Sequence, residues 1–372
     1  MRNRTFLSLF LFFSSFLWFY SFSNSILPLH IYQQGITFQD QIFGQIVRFI
    51  AELIILAVVV SLSSRISWRI ALILFLTYFL LSIKIISPLQ FYLASALNGI
   101  GVFFFYIFYN TAHFENTPKE NTGHSSALMY SLPTFIGVAA PLAAGITKTV
   151  VPDALWLLSG VFFIVSFLLI NKQKNFRIDF SFLKALQEIK ATRRFVFIEG
   201  VWESLIFGFI PVYTLFFIKT PLQYGLYLSY LSLVGAGANL VFGRMTDKIQ
   251  KRAVFLYPIT ILMAIVTFLF AGAVQNITLW IVVTGIIQMM LPLFWNATTT
   301  LVVDAHANLR LAIPGREICL AAGKTIGMMI IFLSFTFEKT PHLLFFILGG
   351  VMLLFPLHLY WRTLVRKSHR YY

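Results

Sequence analysis

Charged residues are scarce in this sequence, and their scarcity excludes most classes of soluble protein. Asp, Glu, Lys and Arg make up 11% of the 372 residues, whereas a soluble domain carries about 25%. Apolar residues make up 59% and recur in long runs. Twelve membrane-spanning helices of about 20 residues each would account for most of such a chain. We therefore expect an all-α membrane protein without a large soluble domain.

Cysteine and the motifs of bound metals and nucleotides are also lacking. The single cysteine, Cys319, excludes a disulfide framework and a thiolate-rich metal cluster. The seven histidines show no HExxH or other close spacing, and there is no Gly-x-x-x-x-Gly-Lys phosphate loop. We expect no metal, no cofactor and no direct use of ATP. A net charge of +15 would suggest nucleic acid in a soluble protein, but here we expect the bilayer to sort the charges and no nucleic-acid partner.

Apolar runs bounded by charged residues, Pro or Asn predict two series of six spans. The first series lies at 6–28, 41–61, 69–87, 90–112, 125–147 and 153–170. The second series lies at 195–218, 223–243, 253–273, 277–301, 312–336 and 341–361. A secretory signal is the alternative for the first run, but this run is longer than the apolar core of a signal.

Lysine and arginine are distributed unequally between the two sides of this topology. The side that includes both termini carries 22 of them, and the other side carries four. Because basic residues accumulate on cytoplasmic loops, we predict cytoplasmic termini, an even number of spans and a location in the cytoplasmic (inner) membrane.

One long polar connection divides the chain into halves. The predicted parts are an N-terminal six-helix bundle (1–170), a cytoplasmic linker (171–194), a C-terminal six-helix bundle (195–361) and a cytoplasmic tail (362–372). In the linker, Phe180, Leu183 and Leu186 alternate with charged residues, which is typical of a short amphipathic helix on the membrane surface. A solvated basic linker is the alternative.

The two halves repeat each other at an offset of 183 residues. Three pairs of similar residues coincide at this offset: Pro28 with Pro211, Arg65 with Lys248, and Arg69 with Arg252. With the matching numbers of spans, they indicate a duplicated six-helix unit, as found in many transporters.

The stretch from Gly243 to Arg252 reads Gly-Arg-Met-Thr-Asp-Lys-Ile-Gln-Lys-Arg. It resembles the cytoplasmic loop signature of the major facilitator superfamily, Gly-x-x-x-Asp-Arg/Lys-x-Gly-Arg/Lys-Arg/Lys. In that family the loop latches the two halves in one of the alternating-access states. The resemblance assigns this role to Gly243, Asp247, Lys248 and Arg252, whereas Gln250 departs from the second Gly.

Two further stretches bear on this resemblance. The first-half counterpart, from Val60 to Arg69, has Ser64 in place of the Asp. Ser can cap a helix but cannot make a charged latch. The run from Gly137 to Gly145 around Pro141 is similar to the small-residue run of the family's fifth helix, and small residues let helices pack closely. The resemblance implies the major facilitator fold, two pseudo-symmetric six-helix bundles, with the first, fourth, seventh and tenth helices around a central path.

Five ionisable residues lie inside predicted spans, where each costs at least about 2.5–3.5 kcal/mol. They are Arg48, Glu52, Glu199, Glu203 and Lys324. Glu52 and Lys324 are predicted at about the same depth, and the family packs its second helix against its eleventh. We therefore predict a Glu52–Lys324 pair, shared by Arg48, as a gate or coupling element.

Glu199 and Glu203 are four residues apart and lie on one face of the seventh span. Two carboxylates that are close together in a low dielectric cannot both ionise easily. We predict that Glu203, the deeper one, carries a coupled proton and that Glu199 modulates it. Lys324 is also a candidate ligand for an anionic group of the substrate. The alternative for all five residues is that internal salt bridges only fix the helix register.

Polar and aromatic residues of the helices around the central path are candidates for the substrate cavity. They are Trp18, Tyr20, Asn24, Asn98, Trp295 and Asn296. The alternative is that the aromatic residues face lipid or pack helices, and that the Asn side chains form interhelical hydrogen bonds.

These observations predict a secondary active transporter, not an enzyme, that moves a small solute by alternating access. We expect a monomer in the bilayer with the solute and protons as its partners. One alternative is a membrane-embedded enzyme, with its candidate catalytic groups on the connection between the tenth and eleventh spans: Asp304, His306, Arg310, Arg316 and Glu317. The other is a non-transporting sensor derived from a carrier, which the altered first-half loop favours.

Overall fold

The computed structural model consists almost entirely of helices. The backbone is described for residues 4–115, 122–248, 253–337 and 341–366, and the side chains for residues 7–115, 135–239, 256–337 and 341–361. Arg252 of the predicted loop motif lies outside the described residues, and so do the side chains of Gly243, Asp247 and Lys248.

The helices of the first half are joined by short connections. They are α1 (Arg4–Ser25), α2 (Leu27–Gln33), α3 (Phe38–Val58), α4 (Ser64–Ile83), α5 (Pro88–Glu115), α6 (Thr122–Val150) and α7 (Ala154–Ile170). A short strand, β1 (Ser61–Ser63), precedes α4, and its partner, β2 (Arg177–Asp179), follows α7.

The second half begins with a short helix in the connecting segment. Its helices are α8 (Phe182–Glu188), α9 (Arg193–Ser204), α10 (Ile210–Tyr213), α11 (Pro221–Lys248), α12 (Ala253–Ala273), α13 (Ile277–Ala305), α14 (Leu309–Phe337) and α15 (His342–Arg366). A π-helical turn, Leu205–Phe209, continues α9 into α10, so that both belong to one span.

Each of the twelve predicted spans overlaps helical residues of the structure. Within the described ranges, nine helical segments are long and apolar enough to cross a membrane, and the apolar segments Phe135–Val150 and Ala154–Ile170 are shorter. The chain is therefore a multi-pass α-helical membrane protein, and the exact number of twelve spans stays a prediction.

Helix ends differ from the predicted ones where polar residues belong to the helix. The predicted start of the second span was 41, but α3 begins at Phe38 because Thr37 and Asp40 form a capping box. The Thr37 hydroxyl accepts a hydrogen bond from the Asp40 N–H (3.1 Å), and the Asp40 carboxylate accepts one from the Thr37 N–H (3.2 Å). Hydropathy alone cannot locate such an end, since the capping residues are polar.

Buried apolar side chains fill the interior of each half. In the first half, Phe16 of α1 and Phe105 of α5 stack with ring centroids 3.5 Å apart. In the second half, Trp280 of α13 is fully buried and donates its indole N–H to the Thr214 hydroxyl (2.9 Å). The halves meet where α3 packs against α14 and α6 packs against α11.

The connecting segment is fastened to both halves. Strand β2 pairs with β1 antiparallel, with Leu62 opposite Ile178. The Arg65 guanidinium donates to the Gln173 carbonyl (2.8 Å). The first-half counterpart of the loop motif therefore contacts the linker. Helix α8 packs against α14.

A short helix, α8, lies where the amphipathic helix was predicted. Leu183 is 68% exposed, whereas Ala185 and Ile189 are fully buried. The helix therefore covers α14 and the neighbouring elements of the protein. The location of its exposed face on the membrane surface stays a prediction.

Helices α9 and α14 approach each other closely because each carries a glycine at the contact. A Cβ at Gly323 would lie 2.4 Å from the Phe197 carbonyl oxygen, and one at Gly200 would lie 2.5 Å from the Leu320 carbonyl oxygen. Both positions therefore require glycine.

We predict that Gly323→Ala destabilises the protein by about 1–3 kcal/mol, since overpacking forces the two helices apart. Thermal unfolding of the purified protein in detergent measures the change. The matched control is Gly160→Ala, because a Cβ at Gly160 meets no atom within 4 Å. Equal stability of the two variants would contradict the close helix contact.

Candidate functional site

Charged side chains are buried where α9, α13 and α14 meet. We name them the buried charge network; it comprises Glu199 and Glu203 of α9, and Arg316, Glu317 and Lys324 of α14. The two helices place their charges in the same order along the chain. The glycine contact between α9 and α14 brings the carboxylates and the cations within ion-pair distance.

Lys324 is held by a carboxylate and by aromatic rings. Its Nζ lies 3.0 Å from Glu203 Oε2, and the two side chains are 16% and 4% exposed. Trp295 of α13 donates its indole N–H to Glu203 Oε1 (2.5 Å). The Nζ also lies 4.9 Å from the centre of the Phe207 ring, which stacks on Trp295. The ion pair and the cation–π contact offset the cost of burying the ammonium group.

Glu199 forms the second ion pair of the network. Arg316 Nη2 lies 2.8 Å from Glu199 Oε1, and the Thr298 hydroxyl donates to the same oxygen (3.1 Å). Arg316 Nη1 also contacts Glu317 (3.3 Å). The other oxygen, Glu199 Oε2, is buried without a hydrogen-bond partner among the described residues. A proton at Oε2 therefore changes the charge of Glu199 without displacing an existing contact.

The ion pair predicted between Glu52 and Lys324 is replaced in the structure by the one between Glu203 and Lys324. Glu52 is buried on α3 and lies within electrostatic range of Lys324, without a direct ion pair among the described residues. Arg48 contacts Gln45 (3.3 Å) instead of Glu52. The packing of α3 against α14 agrees with the expected arrangement, but α9 is in closer contact with α14 through the glycines.

The predicted cavity residues separate into two groups. Trp295 contacts the buried charge network directly. Asn98 is buried on α5 and accepts a hydrogen bond from the Tyr20 hydroxyl (3.2 Å), which is the interhelical alternative. Trp18 packs in the first half against Phe162, with ring centroids 5.8 Å apart.

The two remaining asparagines differ in burial. Asn296 is buried on α13 beside Trp295, and Asn24 is partly buried on α1. Their burial does not test whether either asparagine lines a substrate cavity, so both assignments stay predictions.

The candidate groups of the enzyme alternative take part in separate contacts. Arg310 pairs with Glu115 of α5 (2.6 Å), and Arg316 turns inward to Glu199. His306 contacts the Thr192 hydroxyl (3.1 Å) and lies 4.0 Å from Glu188. Burial lowers the pKa of His306, so the ring is neutral near pH 7. The contacts of His306 link the end of α13 to the connecting segment, whereas those of Arg310 and Arg316 link α14 to α5 and to α9.

Sequence reasoning missed Arg316 as a partner of Glu199. Arg316 was counted with the charges of the connection between the tenth and eleventh spans, but it lies inside α14, which begins at Leu309. The pair could have been found by comparing the two glycine-containing helices. One carries two carboxylates and the other carries two cations, in the same order along the chain.

No protein-family model matches the sequence, and no curated protein matches it. Solved structures match over nearly the whole chain. The human organic anion transporter MFSD10 is 11% identical, with a TM-score of 0.72 over 95% of this chain and 98% of that chain. A bacterial homologue of the iron transporter ferroportin, in its inward-facing state, is 14% identical, with a TM-score of 0.64 over 96% of this chain and 98% of that chain. The chain therefore has the major facilitator fold, and the resemblance found in the loop motif is confirmed at the level of the fold.

We predict that Lys324→Met destabilises the protein by about 3–5 kcal/mol, because Glu203 is then buried without its counter-charge. The double variant Lys324→Met/Glu203→Gln should recover most of this loss, since it removes both charges. Thermal and denaturant unfolding in detergent measure both values.

The control for this prediction is Lys219→Met, which removes a cation from an exposed position beside Tyr32. We expect a change within about 0.5 kcal/mol there. A Lys324→Met variant that is as stable as this control would show that the ion pair does not hold α9 against α14.

Proposed function

We propose that this chain, which has the major facilitator fold, is a secondary transporter that moves a small organic anion by alternating access, coupled to protons. The observation that carries the proposal is the Glu203–Lys324 ion pair, which is buried between helices of an otherwise apolar bundle. Ionisable groups at such positions in membrane proteins mark substrate and ion pathways. The organic anion transporter MFSD10, which has the same fold, supports the solute class.

The coupling follows from competition for one cation. Protonation of Glu203 removes the counter-charge of Lys324, so the Nζ becomes available to an anionic group of the solute. When the solute leaves, Lys324 attracts the Glu203 carboxylate again and the proton is released. Binding of the anion and binding of the proton therefore favour each other, as thermodynamic linkage requires.

The balance of charge around the network supports a bound proton. Four carboxyl groups lie near three cations: Glu52, Glu199, Glu203 and Glu317 with Arg48, Arg316 and Lys324. If all of them were ionised, one negative charge would be in excess in an apolar environment. A single proton removes this excess, and the unpartnered oxygen of Glu199 makes that residue a modulator of where the proton resides.

Movement of the halves would act on contacts that join them. The seam between α3 and α14 carries Glu52 and Arg48 opposite the network, and Phe49 of α3 lies 5.9 Å from Lys324 Nζ. In this proposal Glu52 and Arg48 act as a gate, whereas the loop residues Gly243, Asp247, Lys248 and Arg252 latch the halves. The remaining wall of the solute path is assigned to Trp18, Asn24, Asn98, Trp295 and Asn296.

The arrangement in the cell follows the distribution of basic residues. We propose a monomer in the cytoplasmic membrane, with bundles at 1–170 and 195–361 and with the linker and both termini in the cytoplasm. Transport is favoured over catalysis because the buried carboxylates of α9 form ion pairs with cations of α14. Transport is favoured over sensing because the cation of one pair can exchange its partner for a solute.

We predict that Glu203→Gln lowers proton-driven anion accumulation at least tenfold. The amide cannot take up or release a proton, so protonation can no longer control the contact with Lys324. The assay uses proteoliposomes that contain a trapped pH-sensitive dye. A panel of organic carboxylates and sulfonates is added outside, with and without an imposed pH gradient, and dye signal and solute uptake are both recorded.

The matched control is Glu188→Gln, the same substitution in the connecting segment at a partly exposed carboxylate. It should transport like the unmodified protein. Full proton-driven uptake by Glu203→Gln would remove this residue from the mechanism. Proton movement without any solute dependence, in the unmodified protein, would overturn the anion proposal.

A further inference from the structure

A lateral groove opens between α9, α14 and α15, and neither Glu203 nor Lys324 lines it. Its volume is about 660 Å³, within the range of about 300–1,000 Å³ that is typical of small-ligand sites. Side chains that line it include Phe197, Leu354, Leu357 and Trp361. The last three are at least 50% exposed, so they meet lipid rather than protein.

Two arginines close one end of this groove. Arg193 and Arg194 line it at the start of α9, and both side chains are exposed. Among the residues that the structure describes, neither guanidinium has an ion-pair partner. An arginine pair without a carboxylate is complementary to an anion, and guanidinium groups bind phosphate oxygens in pairs of parallel hydrogen bonds.

The groove lies at the edge of the apolar layer. The apolar span of α9 begins at Arg193, and that of α15 ends at Trp361. Tryptophan is enriched at this level of a membrane, where its ring meets both headgroups and acyl chains. The cations therefore lie at headgroup level, whereas Phe197, Leu354 and Leu357 lie along the acyl region.

We propose that this groove binds an anionic phospholipid, with the phosphate at Arg193 and Arg194 and an acyl chain against α15. Basic pockets between membrane helices are known to select anionic headgroups. The proposal concerns a lipid site on the outer wall of the protein, and it holds whether or not the chain transports an anion.

Native mass spectrometry of the full chain in mild detergent tests the proposal. The probes are phosphatidylglycerol, phosphatidylcholine with the same acyl chains, and glycerol phosphate as the headgroup without chains. We expect phosphatidylglycerol to bind more tightly than phosphatidylcholine, and glycerol phosphate not to displace it. Arg193→Gln/Arg194→Gln should weaken phosphatidylglycerol binding about thirtyfold.

The matched control is Lys184→Gln/Lys190→Gln, which removes two exposed positive charges from the same end of the molecule without touching the groove. It should bind phosphatidylglycerol like the unmodified chain. Leu357→Trp, which fills the groove from an exposed position, should weaken binding while both arginines remain. If the arginine variant does not fold, the proposal is still tested by Leu357→Trp and by the comparison of the two lipids on the unmodified chain.

Three results would overturn the proposal. Equal losses in the arginine and lysine double variants would indicate general surface charge instead of a site. Equal binding of the two lipids, or displacement by glycerol phosphate, would remove the anionic lipid as the ligand. A dimer whose formation excludes the lipid and is abolished by Leu357→Trp would assign the groove to a second copy of the chain.

Discussion

A charge that is buried in an apolar helical bundle must be compensated, and this constraint determines the centre of the molecule. Desolvation of a carboxylate or an ammonium group costs several kcal/mol, which only close ion pairs and hydrogen bonds offset. Glu203 accordingly meets Lys324 and Trp295, and Glu199 meets Arg316 and Thr298. These pairs join α9, α13 and α14, so a change in charge at one carboxylate acts on the contacts of three helices.

The absence of bulk at two glycines makes this compensation geometrically feasible. Gly200 and Gly323 let the backbones of α9 and α14 touch, and the charged side chains on either side then reach one another. Packing and electrostatics therefore depend on each other. The glycines let the helices approach, and this proximity lets the buried charges form ion pairs. The same proximity explains why Glu203, and not Glu52 of α3, is the partner of Lys324.

Much of the fold could be predicted because the bilayer imposes strong patterns on a sequence. Long apolar runs located the helices, and the ionisable residues within them located Glu199, Glu203 and Lys324. The pairing could not be predicted, because depth along a helix is readable from sequence whereas rotation about the helix axis is not. Arg316 was missed because, near the start of the eleventh span, it was counted with the charges of the preceding loop. The strand pairing of Leu62 with Ile178 was missed because three-residue strands carry no periodicity.

Through the β1–β2 pairing and the packing of α8, the connecting segment links α4 to α14 by a short stretch of chain. Only Phe180 and Ser181 separate the end of β2 from the start of α8, and two extended residues cover about 7 Å. At one end the segment pairs with β1, directly before α4. At the other end α8 packs against α14, where the absence of a side chain at Gly315 leaves room for the Ala185 carbonyl. If α4 and α14 moved apart by more than this linker can span, the β1–β2 pairing would have to break or α8 would have to leave α14. The segment would therefore limit how far this end of the molecule can open.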